Sequence, residues 1–319
     1  MEPFLLSPAI KDYIWGGTRL REEFGRESSL ERLAESWELS CHPDGESTIS
    51  SGEYSGMSLP RFLSEHPEAL GRACTSPEEF PVLVKLIDAR NDLSVQVHPD
   101  DSYARTHEND NGKTEMWYVI DADPGAELVY GFRESMTKEE FRSAVEDGTL
   151  MEHVNRVPVK SGDVFFITPG TLHAIGKGIL IAEIQQSSNV TYRVYDYGRT
   201  GADGKPRELH VEKALEVTDT GTRALYVPDP PESSGGVTVQ RLASCSYFTV
   251  TKYDSESEMT IIDESAEESF SHILVLEGEG SLSCGGTVLP LEKGSSVFVP
   301  AGTGPLDITG RVSLIHTTV

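Results

Sequence analysis

The sequence predicts a mainly β protein, organised as two small barrels with short helical insertions. Three observations carry that reading: strand-like apolar runs recur along all 319 residues, only one segment carries a full helix signature, and one glycine-bounded strand pattern occurs twice. A hydrophobic content of 37% is enough to build a core for each unit.

Taken in order, residues 18–24 and 58–70 have helical spacing and are expected to pack outside the β core. The runs 81–88, 93–98 and 116–120 follow as strands, rich in Val, Ile and Leu. Thr137 and Glu140 form a capping box ahead of Phe141, Ala144 and Val145, and Gly148 follows, so 137–147 reads as an amphipathic helix. Strands are next expected at 163–167 and 178–184, a further helix at 208–217, and strands again at 246–252, 273–276 and 296–299.

Between them, 228–236 (PDPPESSGG) is a run of turn formers that reads as a linker. It separates residues 1–227, a longer domain with the helical insertions, from a shorter C-terminal domain, 237–319. The repeat spans this linker. Gly162, Phe166 and Gly170 fall in register with Gly294, Phe298 and Gly302, and His173 falls opposite Pro305. The copies share a backbone plan, but only the first presents a polar residue at its end, so function is expected there.

Charge narrows the function classes. With 52 acidic and 27 basic side chains the formal charge is −25, which repels nucleic acid and anionic lipid. No apolar stretch is long enough to span a bilayer, and the first residues lack the form of a signal peptide, which points to a cytoplasmic protein. Cys41, Cys74, Cys245 and Cys284 are far apart and read as buried thiols.

In 93–98, alternation places Leu93, Val95 and Val97 on one face and Ser94, Gln96 and His98 on the other. Glu115 comes 17 residues after His98, and a loop over 99–112 is expected to return its strand antiparallel beside the first. His173 follows the Pro169-Gly170 turn, where a side chain can point back into a barrel. Together Gln96, His98, Glu115 and His173 offer two imidazoles, a carboxylate and an amide oxygen, a donor set suited to one divalent ion such as zinc. His42, His66, His107, His153, His210, His272 and His316 read as structural or solvated.

The segments Gln96-Val97-His98-Pro99-Asp100, Gly112-Lys113-Thr114-Glu115-Met116-Trp117 and Pro169-Gly170-Thr171-Leu172-His173-Ala174 resemble the metal-binding signatures of type I mannose-6-phosphate isomerase in its short bacterial form. Tyr13-Ile14-Trp15-Gly16-Gly17, Glu35-Ser36-Trp37-Glu38 and residues 187–196 resemble further blocks of that family, in the same order. The resemblance implies cupin barrels, zinc bound by Gln96, His98, Glu115 and His173, an active-site arginine at Arg193, and a hexose 6-phosphate substrate. Long members of the family carry a larger helical domain for which this sequence has only short insertions.

An aldose–ketose isomerisation also needs a base and cations for the substrate phosphate. Glu183, on the strand face shared with Ile179, Ile181 and Gln185, is the candidate base. Lys85, Ser94 and Lys113 are the candidate substrate-binding residues, with Arg199 a weaker addition; a lysine at position 85 would otherwise snorkel out of its apolar strand. Two other functions fit the same barrel, a metal-dependent cupin oxygenase and a non-catalytic sugar-binding cupin. Gln96 stands where an oxygenase would have a histidine, which argues against the first, and Glu183 and Arg193 would have no role in the second.

Overall fold

A computed structural model describes residues 1–74, 80–201, 204–262 and 266–319. Its three sheets are built from antiparallel pairs and lie in layers. A five-stranded sheet runs Tyr192–Tyr195, Val95–Val97, His173–Ala174, Glu127–Phe132, Val154–Pro158. A six-stranded sheet runs Val164–Ile167, Glu115–Ala122, Ile179–Gln186, Val82–Ala89, Glu35–Leu39, Ala9–Lys11.

Period-two alternation explains why these two sheets face each other. Ile179 and Ile181 join Trp117, Phe165, Leu128 and Tyr130 in the apolar layer between them, while Leu180, Ala182 and Ile184 point the opposite way. That opposite face packs on a third, ten-stranded sheet through Leu274, Phe298 and Ile315, with the helices Arg19–Phe24 and Leu59–Glu65 alongside. The outer face of the five-stranded sheet is covered by Lys138–Glu146, whose Thr137/Glu140 capping box is present, and by Val211–Val217. The expected helix over 58–70 is two pieces, Leu59–Glu65 and a 3-10 turn Pro67–Leu70, because Pro67 has no N–H to continue the first helix.

The third sheet holds the C-terminal strands, among them Ser271–Cys284, Ser296–Val299 and Leu306–Thr318. Its far face is lined by Ile273, Val275, Val297, Leu314 and similar apolar side chains, with the Cys284 thiol among them. Residues from the start of the chain complete it: Phe4–Ser7 pairs with Ser296–Val299, and Thr48–Ile49 pairs with Phe4–Ser7. Within 228–236, Glu232–Ser234 is an exposed edge strand paired with Val237–Ser244. The repeat is visible in the backbone, since Gly162 and Gly294 share φ 90° and Gly170 and Gly302 have φ 81° and 74°.

Some expectations are corrected here. Cys41 and Cys245 are only half-buried, unlike Cys74 and Cys284. Of the histidines read as structural or solvated, His272 and His316 are structural, buried on paired strands of the third sheet. His272 Nε2 lies 2.8 Å from Ser296 Oγ. Burial, with His316 adding to it, pushes the His272 imidazole down to about 3. An unfolded chain takes up that proton near pH 6.5 while the folded one resists it, so stability falls as pH drops from about 6.5 toward 3, by about 1.4 kcal/mol per unit. Chemical denaturation across that range checks this, and His272→Gln is expected to flatten the slope. No described helix is long and apolar enough to cross a membrane.

Candidate metal centre and adjoining cavity

The site lies where the five- and six-stranded sheets face each other at one end. His98 follows the strand Val95–Val97, and His173 opens the neighbouring strand, paired with Gln96. Glu115 opens a strand of the opposite sheet, between Ile167 and Gln185. The expected pairing of the Glu115 strand beside 93–98 is therefore wrong. Asp101–His107 forms a helix within the connection, which carries the chain across to the other sheet, and the carboxylate meets His98 from across the space between the two sheets. Leu93 likewise leaves the Val95/Val97 cluster and packs with Trp15 and Ile175.

The turn before His173 depends on Gly170. At φ 81° it has a left-handed backbone, and a Cβ there would lie 2.9 Å from the Val217 carbonyl oxygen.

His98, Glu115 and His173 are at most 1% exposed, and their ligand atoms all lie within 4.8 Å of one another. His98 Nδ1 is 2.8 Å from the Val190 carbonyl and His173 Nδ1 is 2.9 Å from that of Thr171. A carbonyl only accepts, so each Nδ1 donates the proton and each Nε2 presents a lone pair. Those lone pairs point at Glu115: His98 Nε2 is 3.3 Å from Oε1 and His173 Nε2 is 3.7 Å from Oε2. Gln96 places its terminal amide 3.5 Å and 3.4 Å from the same two nitrogens. Amide oxygen and nitrogen exchange places by a half-turn, so Gln96 can equally present oxygen there.

Burial, then Lys113, pushes the His98 imidazole down to about 3, and burial also lowers His173. Burial alone would raise the Glu115 carboxyl, but Lys113, His98 and His173 outweigh it and hold Glu115 well below the usual range. Lys113 Nζ sits 2.7 Å from Glu115 Oε1 as an ion pair, yet neither carboxylate oxygen is aligned to receive a hydrogen bond. Two lone pairs and a carboxylate whose oxygens accept no hydrogen bond, converging while buried, fit a bound cation.

Beside this cluster is a cavity of about 280 Å³, lined by Lys85, Ser94, Gln96, Lys113, Glu183 and Arg193 among others. Lys85 does not snorkel outward. It is 3% exposed and lies between Glu35 Oε2, at 3.5 Å, and Glu183 Oε1, at 3.4 Å, over the Trp37 ring. Burial pulls its ammonium down, but Glu35, Glu183 and Glu115 more than compensate and hold it above its ordinary value. Glu183 accepts from Trp117 Nε1 at 2.9 Å, and burial followed by Glu115 raises its carboxyl. Arg193 donates to Ser94 Oγ at 3.3 Å and to the Glu208 carbonyl at 2.9 Å.

Comparison with known proteins adds to this geometry. Mannose-6-phosphate isomerase ManA of Bacillus subtilis is 40% identical over 315 residues, covering 98% of both chains. The chain belongs to the mannose-6-phosphate isomerase family. It is thus an enzyme, an aldose–ketose isomerase. The mannose-6-phosphate isomerase of Streptococcus mutans is 41% identical over 316 residues, covering 98% of this chain and 97% of that one. Family models for the type I phosphomannose isomerase catalytic domain and the mannose-6-phosphate isomerase cupin domain match residues 4–134 and 238–319. The crystal structure of mannose 6-phosphate isomerase from Bacillus subtilis superposes with a TM-score of 0.93 at 38% identity, covering 100% of each chain.

All nine residues singled out from the sequence lie in this cluster or line the cavity. Arg199 is not among the lining residues; it contacts the Asp92 carbonyl and Asp196 instead. Sequence reasoning missed Glu35, Tyr13, Trp15 and Arg207, which line the cavity. The blocks containing Tyr13, Trp15 and Glu35 resembled the family but suggested no role, and nothing in the local sequence marked Arg207.

Proposed function

We propose that the chain interconverts mannose 6-phosphate and fructose 6-phosphate through an enediol, using one zinc ion held by Gln96, His98, Glu115 and His173. Convergence of His98, Glu115 and His173 in a buried cluster, where neither Glu115 oxygen accepts a hydrogen bond although Lys113 pairs with one of them, is the observation that carries this reading. Such an ion supplies Lewis-acid stabilisation of negative charge on oxygen.

The chain's own residues account for the remaining chemistry. Glu183 moves the proton between C2 and C1 of the open-chain sugar. Its raised carboxyl brings it closer to neutrality, where a base can both take and return a proton, and the Trp117 indole fixes one of its oxygens. Lys85, fixed between two carboxylates, and Lys113 and Ser94 bind the sugar's oxygens. Arg193, a fixed guanidinium on the same wall as Gln96, stabilises the charge that develops on oxygen. Buried apolar walls from Ile87, Leu93 and Ile175 exclude bulk water from the intermediate.

The test is direct. Purified protein mixed with mannose 6-phosphate is expected to yield fructose 6-phosphate, a chelator is expected to abolish the reaction, and added zinc is expected to restore it. Absence of product at millimolar substrate would favour a binding module, and oxygen consumption by a coloured metalloprotein would favour an oxygenase.

A further inference from the structure

The cations that line the cavity are not equivalent. Lys85 is neutralised between Glu35 and Glu183, and Lys113 is paired with Glu115. Neither brings uncompensated positive charge to a substrate. Among the described residues the Arg193 side chain donates to the neutral oxygens of Ser94 and Glu208, and no carboxylate contacts it. Arg207 lines the same cavity and is held by Asp196, with Nε 2.7 Å from Oδ2. Asp196 is 6% exposed and also pairs with Arg199. Among the described residues one carboxylate therefore serves two guanidiniums, and even with Glu208 acting on Arg193 the three arginines outnumber the two acids, inside a chain of formal charge −25.

The contacts also give a direction. They run outward from the metal cluster, from Gln96 to Ser94 Oγ at 3.4 Å and from Ser94 to Arg193 at 3.3 Å, with Arg207 acting electrostatically on Arg193. After burial, Arg207 is the largest influence lowering the Arg193 guanidinium, a like-charge repulsion that marks the two cations as neighbours on the cavity wall. In a hexose 6-phosphate the reacting carbons, C1 and C2, and the phosphate lie at opposite ends. A sugar with its reacting end at the cluster directs its phosphate toward this corner.

We infer that Arg207, positioned by Asp196, recognises the substrate's phosphate dianion and sets specificity for phosphorylated over unphosphorylated sugars. This rests on the isomerase reading and adds to it a residue whose role lies in binding rather than in proton transfer. A planar guanidinium locked on one edge by a carboxylate offers its remaining N–H groups in fixed directions, as a phosphate requires.

The experiment compares wild type, Arg207→Gln and Arg207→Lys. Asp196 keeps Arg199 as a partner in each variant, so the loop retains an anchor. For Arg207→Gln, KM for mannose 6-phosphate is expected to rise about tenfold or more, the loss of a charge-assisted hydrogen bond, with a much smaller change in kcat. Competitive inhibition by inorganic phosphate is expected to weaken by the same factor, and Lys is expected to restore part of both. Unchanged KM and phosphate inhibition would overturn the assignment, as would a fall in kcat with KM retained. If the wild type turns over no hexose phosphate, the isomerase reading fails; calorimetry with inorganic phosphate then tests Arg207 separately, and equal binding by wild type and Arg207→Gln rejects it.

Discussion

Replacing Glu115 with Gln is expected to strip the divalent ion from the protein and to lower isomerase turnover about 10²–10³-fold, the loss typical of removing one key electrostatic element. The size follows from the composition of the cluster. Glu115 is its only anion; His98 and His173 present neutral nitrogens and Gln96 a neutral amide. Glutamine keeps the shape but leaves only neutral donors, and Lys113, 2.7 Å from Oε1, would then repel a cation without a carboxylate to offset it. Elemental analysis alongside the isomerase assay checks this. Wild-type metal content together with wild-type turnover would show that Glu115 is no ligand.

Glu183→Gln is expected to separate chemistry from metal binding. Turnover should fall about 10²–10⁴-fold, the usual contribution of a positioned base, while metal content and fold are kept. The amide oxygen can still accept from Trp117 Nε1, and Lys85 retains Glu35 at 3.5 Å, so the substitution leaves no buried charge wholly unpaired. Exchange of the substrate C2 hydrogen with solvent gives a second readout, since it requires proton removal but not complete turnover. Persistent exchange in the variant would assign the base elsewhere.

How legible the site was in the sequence depended on the range over which its geometry is set. Ser94, Gln96 and His98 share a face because strand alternation is local, and Glu183 joins Ile179 and Ile181 for the same reason. The Thr137/Glu140 helix start was equally local. Pairing was another matter. Spacing alone suggested that Glu115 returned beside His98, yet the intervening helix Asp101–His107 carries it to the opposite sheet, a choice decided by packing between layers. Glu35 and Arg207 went unnoticed because their neighbours in space, Lys85 and Asp196 with Arg193, are brought to them by strand order and a loop. The second unit could not be delimited by its linker alone, since Phe4–Ser7 completes its sheet from the far end of the chain.

All three tryptophans of the chain meet at this one place: Trp15 on the cavity wall, Trp37 beneath the Lys85 ammonium, and Trp117 bonded to Glu183 with its ring 5.4 Å from that of His173. No indole elsewhere contributes background light. The tryptophan emission of the unlabelled protein is therefore a reporter confined to the surroundings of this cavity and of the His98, Glu115 and His173 cluster.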